Sequence, residues 1–361
     1  MHTPVPPPLS GRGAPSNAAP TRFGLATREA DGDWLDAAEG VDGAALKLRT
    51  QVTFERPRTI IARNSSPDIG FDRSINPYRG CEHGCIYCYA RPTHAFHDLS
   101  PGLDFESKLF AKPDAAELLR KELAKLGYVA APIAIGTNTD GYQPIEREHR
   151  ITRSVIEVLS ELGHPLIITT KSDRLLRDTD LLSDMARRGL LAVAISVTTL
   201  DPAIARTLEP RAAHPQRRLA AVKALSEVGV PVQVNVSPII PAVTDHEIEA
   251  IVAAAADNGA YRASYIVLRL PLEVAPLFRE WLAAHFPDRA EKVMHIVKAM
   301  RGGRDNDPNF GSRMKGEGVW AELIRARFRR AVRAHGLDVP YADLRCDLFR
   351  PPPRDGQLSL L

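Results

Sequence analysis

Leu166-Ile167-Ile168-Thr169-Thr170, then helical period over 179–188, Gly189, and Leu191-Ala192-Val193-Ala194-Ile195-Ser196-Val197: this unit decides the fold. Both apolar runs are too short for helices and too continuously apolar for strands with one wet face. They read as strands buried on both sides. Working outward, comparable runs fall at 75–78, 133–136, 232–236 and 265–268, which makes six. Helical period fills the gaps at 114–126, 149–162, 215–228 and 245–258. Gly127, Gly163, Gly189, Gly229 and Gly259 stand where those helices should stop. Repeating strand–helix units of this kind predict an α/β fold with a parallel sheet covered by helices. Active residues are then expected where strands end and loops begin.

The first run leads into Cys81-Glu82-His83-Gly84-Cys85-Ile86-Tyr87-Cys88-Tyr89, which holds three of the four cysteines in the chain. Spacings of three and then two do not make a zinc pair, which needs a second pair to close a tetrahedron. Three thiolates can instead hold three irons of a four-iron, four-sulfur cluster and leave the fourth iron open for chemistry. A zinc site remains the alternative, with His83, His94 or Cys346 as fourth ligand; the chain would then be a non-catalytic nucleic-acid-binding protein.

The C-x3-C-x2-C pattern with an aromatic before its last cysteine resembles the signature of the radical SAM enzymes. The flanks Asn76-Pro77-Tyr78-Arg79-Gly80 and Tyr87-Cys88-Tyr89-Ala90-Arg91, with Thr139-Asp140 further on, are similar to the branch containing the spore photoproduct lyases. The resemblance implies a partial (β/α)6 TIM-type barrel. It implies a [4Fe-4S] cluster on Cys81, Cys85 and Cys88 and S-adenosyl-L-methionine on the open iron. One electron, from a reductant such as flavodoxin or ferredoxin, would cleave that cofactor to a 5′-deoxyadenosyl radical. It assigns Lys171, at the end of the third run, to the cofactor's carboxylate. The polar turn with Thr139 and Asp140 would meet the methionine amino group, Ser196 a ribose hydroxyl, and Tyr87 would lie beside the adenine with the sixth run. Asn235, a polar residue in an apolar run, is a further candidate ligand contact. Tyr87 and Tyr89 could relay a radical. Spore photoproduct lyases return hydrogen from a cysteine at the end of the second strand; here that position is Thr137, whose O–H bond is too strong for the task. Cys346 could substitute only if the tail folds over the barrel. Glu209-Pro210-Arg211 reads as a salt-bridge clamp.

Apolar and charged fractions of 44% and 25% are ordinary for a globular protein, and a net charge of +3 says nothing about nucleic acid. Few cysteines and a labile cluster point to a reducing cytoplasm, and no stretch is long and apolar enough to span a membrane. The predicted divisions are 1–50, rich in Pro, Ala and Gly and mostly disordered; 51–271, the barrel; 272–350, a helical and loop extension; and 351–361, an extended tail. In the extension, a glycine-rich loop over 301–318 is expected to cover the open end of the barrel. The helix after it carries Arg325, Arg329, Arg330 and Arg333 on one face, which suits a phosphate backbone. Gln357-Leu358-Ser359-Leu360-Leu361 resembles the peptide with which bacterial repair proteins dock on the sliding clamp, through Gln357, Leu358, Leu360 and Leu361. A nucleic-acid substrate is therefore one expectation; a peptide or small-molecule substrate is the alternative.

Overall fold

A computed structural model describes residues 11–18 and 48–353. Its strands are β1 (Gln51–Phe54), β2 (Ile61–Arg63), β3 (Arg73–Ile75), β4 (Tyr78–Arg79), β5 (Lys108–Ala111), β6 (Ile133–Ile135), β7 (Leu166–Thr170), β8 (Leu191–Ser196), β9 (Val232–Ile239) and β10 (Arg262–Val267). One sheet runs in the order β10-β9-β8-β7-β6-β3-β2. From β3 to β10 every neighbouring pair is parallel. Only β2, the lead-in strand, is antiparallel, against β3. The crossovers carry the helices Ala115–Leu123, Ile151–Glu161, Thr179–Arg187, Pro215–Glu227 and Ile248–Asp257. Their apolar faces and the outward residues of the strands form one buried core, from Leu119 and Val155 through Leu182 and Val222 to Val252. The result is the expected open α/β barrel of six parallel strands.

Two expectations need correction. The run at 75–78 is not one strand. Asn76-Pro77 breaks it, since proline has no N–H to give a ladder, and Tyr78 and Arg79 join β5 and β1 in a separate small sheet. Nor are residues 1–50 disordered throughout. Residues 11–18 pack into the body of the protein, where Arg12 and Ala14 are buried; residues 1–10 and 19–47 lie outside the described residues.

An open barrel leaves its last strand unpaired, a template for another chain unless it is covered. Here the glycine-rich loop lies along β10. Val267 N–H donates to Met314 O at 3.0 Å, and Lys315 Nζ donates to Tyr265 O. Arg301 gives its guanidinium to Val267 O and Leu268 O at 3.2 and 2.9 Å. The loop covers the open edge rather than the open end. The helices Val274–His285 and Ala290–Ala299 bury Phe278, Trp281 and Val297 beside the cysteine loop, and Gly318–Ala334 closes over β10.

The segment at 344–350 runs to the far end of the barrel. Arg345 N–H donates to Gly189 O and Arg350 N–H to Leu162 O, both at 2.9 Å and both just before a strand begins. Phe349 packs on Tyr128 and His164. Cys346 is exposed there, opposite the strand ends that face the cysteine loop.

Candidate active site

The cysteine loop follows β4 and has little regular structure of its own. Its backbone carbonyls are held from within by one buried cation. Arg91, fully buried, donates to Cys85 O at 2.9 Å, Gly84 O at 3.1 Å, and Pro101 O and Gly102 O at 3.0 Å. Its charge is met by Glu106, also fully buried. A planar guanidinium suits this work because its donors lie in a fixed fork. Glu106 in turn accepts the N–H groups of Gly13 and Ala14, each at 2.9 Å, while Arg12 donates to Glu106 O and Leu48 O at 2.6 Å. This accounts for the N-terminal segment's packing: it supplies donors to a fully buried carboxylate.

Gly13 lies so close to the cysteine loop that a Cβ there would stand 1.8 Å from Gly84 O. Gly13→Ala must therefore push strap and loop apart. A loss of about 1–3 kcal/mol is expected by analogy with overpacked cores. The check is the urea midpoint together with iron retained per chain; a variant matching wild type in both would show that the contact does not brace the loop.

Cys81 and Cys85 are 7% and 8% exposed and Cys88 is partly exposed. Burial, then Asp140 and the neighbouring thiols, pushes the Cys81 thiol well up. Burial and then Glu209 push Cys85 up to about 12. Thiols of this kind ionise when a cationic centre replaces their protons. Among the described residues no three His, Cys, Asp or Glu side chains close on a single metal ion. Of the fourth ligands that zinc would need, His94 has its Nε2 2.9 Å from Lys108 O and Cys346 is at the far end, while His83 lies on the cysteine loop with its Nδ1 3.3 Å from Asp140. Three sulfurs on one short loop, without a fourth, fit an iron–sulfur cluster with an open iron.

Behind the loop, neighbouring strands fall into register. Ser196 pairs with Asn235 and Asn235 with Ser264, and Lys171 follows Thr170 as Ser196 follows Ile195. The sheet thus sets Lys171, Ser196, Asn235 and Ser264 in one row across β7 to β10. Asn235 Oδ1 accepts from Ser264 Oγ at 2.8 Å and from Gln233. Ser264 carried no sequence signal, since one serine in an apolar run is unremarkable until register places it.

Gly136, with φ +90°, turns the chain at the end of β6; a Cβ there would stand 1.8 Å from Thr169 O. The loop that follows is a hub. Asp140 accepts from Tyr142 N–H, Thr170 Oγ1 and Lys171 N–H, each at 2.8 Å. Burial would raise its carboxyl, but His83 and these donors bring it down to about 2. Thr139 Oγ1 donates to Gly80 O at 2.7 Å, tying the same loop to the cysteine loop.

The two tyrosines have different surroundings. Tyr87 is buried, with Lys171 Nζ 5.7 Å above its ring, and its hydroxyl donates to Glu209. Glu209 also accepts from Thr198 Oγ1 at 2.7 Å and is paired with the buried Arg218. Burial would raise Glu209; Arg218 and then Lys171 bring it down to about 2. The clamp is real, but its cation is Arg218; Arg211 pairs instead with Glu82 at 3.0 Å. Tyr89 is 52% exposed, and its hydroxyl donates to the carbonyl of Thr137.

The family model described as Radical SAM superfamily matches residues 75–255. The chain is 33% identical over 252 residues to an uncharacterised protein of Mycobacterium tuberculosis (strain ATCC 25618 / H37Rv), covering 68% of this chain and 74% of the relative. It is 26% identical over 219 residues to an uncharacterised protein of Methanocaldococcus jannaschii, covering 61% and 78%. Among solved structures, its fold is similar to that of spore photoproduct lyase complexed with dinucleoside spore photoproduct. There the TM-score is 0.55 at 16% identity, over 79% of each chain.

Proposed function

The chain belongs to the radical SAM superfamily, whose members are enzymes that bind a [4Fe-4S] cluster and S-adenosylmethionine, and from that premise we propose that Cys81, Cys85 and Cys88 hold the cluster and that the substrate is nucleic acid carrying a damaged base. When bound there and reduced by a flavodoxin or ferredoxin, the cluster would supply one electron for reductive cleavage of S-adenosylmethionine. The residues of this chain do the rest. Lys171 is the cation for the methionine carboxylate, and the row of Ser196, Asn235 and Ser264 offers hydroxyl and amide groups to the nucleoside. The backbone and side chains of Thr139 and Asp140 fix the loop that meets the amino group. Tyr87, pinned to Glu209, forms the wall under Lys171.

The observation that supports the reading is the register that sets Lys171, Ser196, Asn235 and Ser264 in one row across β7 to β10, with Lys171 over the ring of Tyr87 in the cysteine loop. The nucleic-acid substrate is supported by the fold shared with a lyase solved with a dinucleoside lesion. Tyr89 touches the backbone of the residue that replaces the lyases' cysteine. We assign it the closing step: its O–H hydrogen atom passes to the product radical, and one electron and one proton from the external reductant and solvent restore the phenol. Among the described residues no helix is long and apolar enough to cross a membrane; an oxygen-sensitive cluster suits the reducing cytoplasm. The peptide Gln357 to Leu361 lies outside the described residues and is proposed to dock on the sliding clamp. Pull-down by the clamp should be lost in a Gln357→Ala, Leu360→Ala pair, and equal retention would remove that partner.

The test is the full chain with S-adenosylmethionine deuterated at the 5′ carbon, a reductant and ultraviolet-irradiated DNA. Lesion loss with 5′-deoxyadenosine formation stimulated by the damaged DNA is expected, and Tyr89→Phe should stall it after hydrogen abstraction. Cofactor cleavage at one rate with damaged, intact or no DNA, and no change in any lesion, would overturn the substrate while leaving the family chemistry standing.

A further inference from the structure

A cavity lies outside the barrel interior, between β10 and the helix Gly318–Ala334. It has a volume of about 320 Å³, and Arg262, Lys315, Arg325 and Arg329 converge on it, with Tyr265 and Phe328 as its apolar wall. One carboxylate, Asp338, lines it, and that group already has Arg333 at 3.9 Å. None of the four cations pairs within 4.0 Å with a carboxylate of the described residues. Lys315 and Arg262 are held by neutral groups instead. Lys315 Nζ stands 3.4 Å from the centre of the Tyr265 ring and donates to Tyr265 O. Arg262 stacks at 3.8 Å on Tyr341 and donates to Val339 O, while its Nε is buried without a partner. Four like charges around one cavity repel one another, and burial adds to the cost. Lys315 registers both, since burial and then Arg325 and Arg262 bring its ammonium down to about 8.

An anion with several acceptor oxygens would relieve that repulsion and answer the forked donors. Tyr265 and Phe328 are 5% and 6% exposed and offer no free face on which a base could stack. The cavity thus suits a phosphate and not a base. It is also joined to the active site. Arg313, Met314 and Lys315 are consecutive, spanning about 7 Å if extended. Met314 Sδ is 3.5 Å from Arg269, whose charge acts on Tyr89 beside Cys88. Cations therefore follow the open edge of the barrel from the site outward.

We propose that this cavity binds a backbone phosphate of the nucleic acid whose damaged base enters the barrel. The proposal rests on the nucleic-acid reading above and names where the strand is gripped. The experiment is fluorescence anisotropy of the full chain with a labelled single-stranded thymidine oligomer of about 16 nucleotides, titrated at several potassium chloride concentrations. Arg329→Gln and the pair Arg325→Gln, Arg329→Gln are exposed changes, and Lys223→Gln, on a remote helix, is the control. Each lost phosphate contact should lower the slope of log affinity against log salt by about 0.7, and the pair should weaken binding about tenfold. Lys315→Gln should act in the same direction, with circular dichroism reporting that it folds. Wild-type affinity and slope in the arginine variants would overturn the cavity while wild-type binding kept the substrate class. Absence of binding by wild type would sink the substrate class and the cavity with it, as would an equal affinity for polyglutamate, which has charge but no phosphate.

Discussion

Alanine in place of Cys81, Cys85 or Cys88 gives a chain that folds, purifies colourless and forms no 5′-deoxyadenosine, whereas Cys346→Ala matches wild type. Removing one thiol leaves two protein ligands for a cluster that needs three, so iron should fall to below about a tenth of the wild-type content. The fold should survive, because the loop is held through its carbonyls by Arg91 and not through its sulfurs. Cys346 lies by Gly189 and Leu162, at the far end of the strands, and cannot replace any of the three. Anaerobic iron analysis, circular dichroism and product chromatography read the three parts of the expectation separately. A single-cysteine variant that kept its iron would show that the cluster is held elsewhere.

Arg91→Met is expected to be the most damaging change away from the sulfurs. It strands Glu106, fully buried, without the cation paired to its carboxylate, and it leaves four carbonyls without their donor. Breaking a buried pair from one side costs about 3–5 kcal/mol. That is a large share of the total stability of an ordinary domain. Arg91→Lys restores the charge but not the fork, so it should recover part of the stability and little of the iron. The double change Arg91→Met, Glu106→Gln should be less destabilised than the arginine change alone, because no net charge is then buried. Urea midpoints order the four proteins. Equal midpoints for wild type and Arg91→Met would mean that the loop does not depend on this cation.

The barrel was legible because its evidence is periodic. Strands at 166–170 and 191–197 and the helix between them were placed within a residue or so, since continuous apolar runs and glycine stops have few other readings. The helix Pro202–Leu208 was missed although its signal was present. Asp201 caps it, accepting from Ala203 N–H at 2.7 Å, with Pro202 at the first helical position. The cysteines were legible from spacing alone. Their supports were not, because Arg91 and Glu106 stand 15 residues apart and Glu106 and Gly13 stand 93 apart. Such contacts follow from the packing of whole elements, and no local pattern announces them. The ordered strap at 11–18 was hidden for the same reason: its composition is that of a solvated tail, and only the buried carboxylate it reaches makes it a structural element. Ser264 became visible only through register, which two short apolar runs do not specify by themselves.

The most direct test is the electron paramagnetic resonance spectrum of the reduced wild-type chain, prepared without oxygen, before and after S-adenosylmethionine is added. Three cysteines and one open iron predict a reduced [4Fe-4S] signal that shifts when the cofactor binds. A signal indifferent to S-adenosylmethionine, or a chain that takes up zinc and no iron on reconstitution, would contradict it.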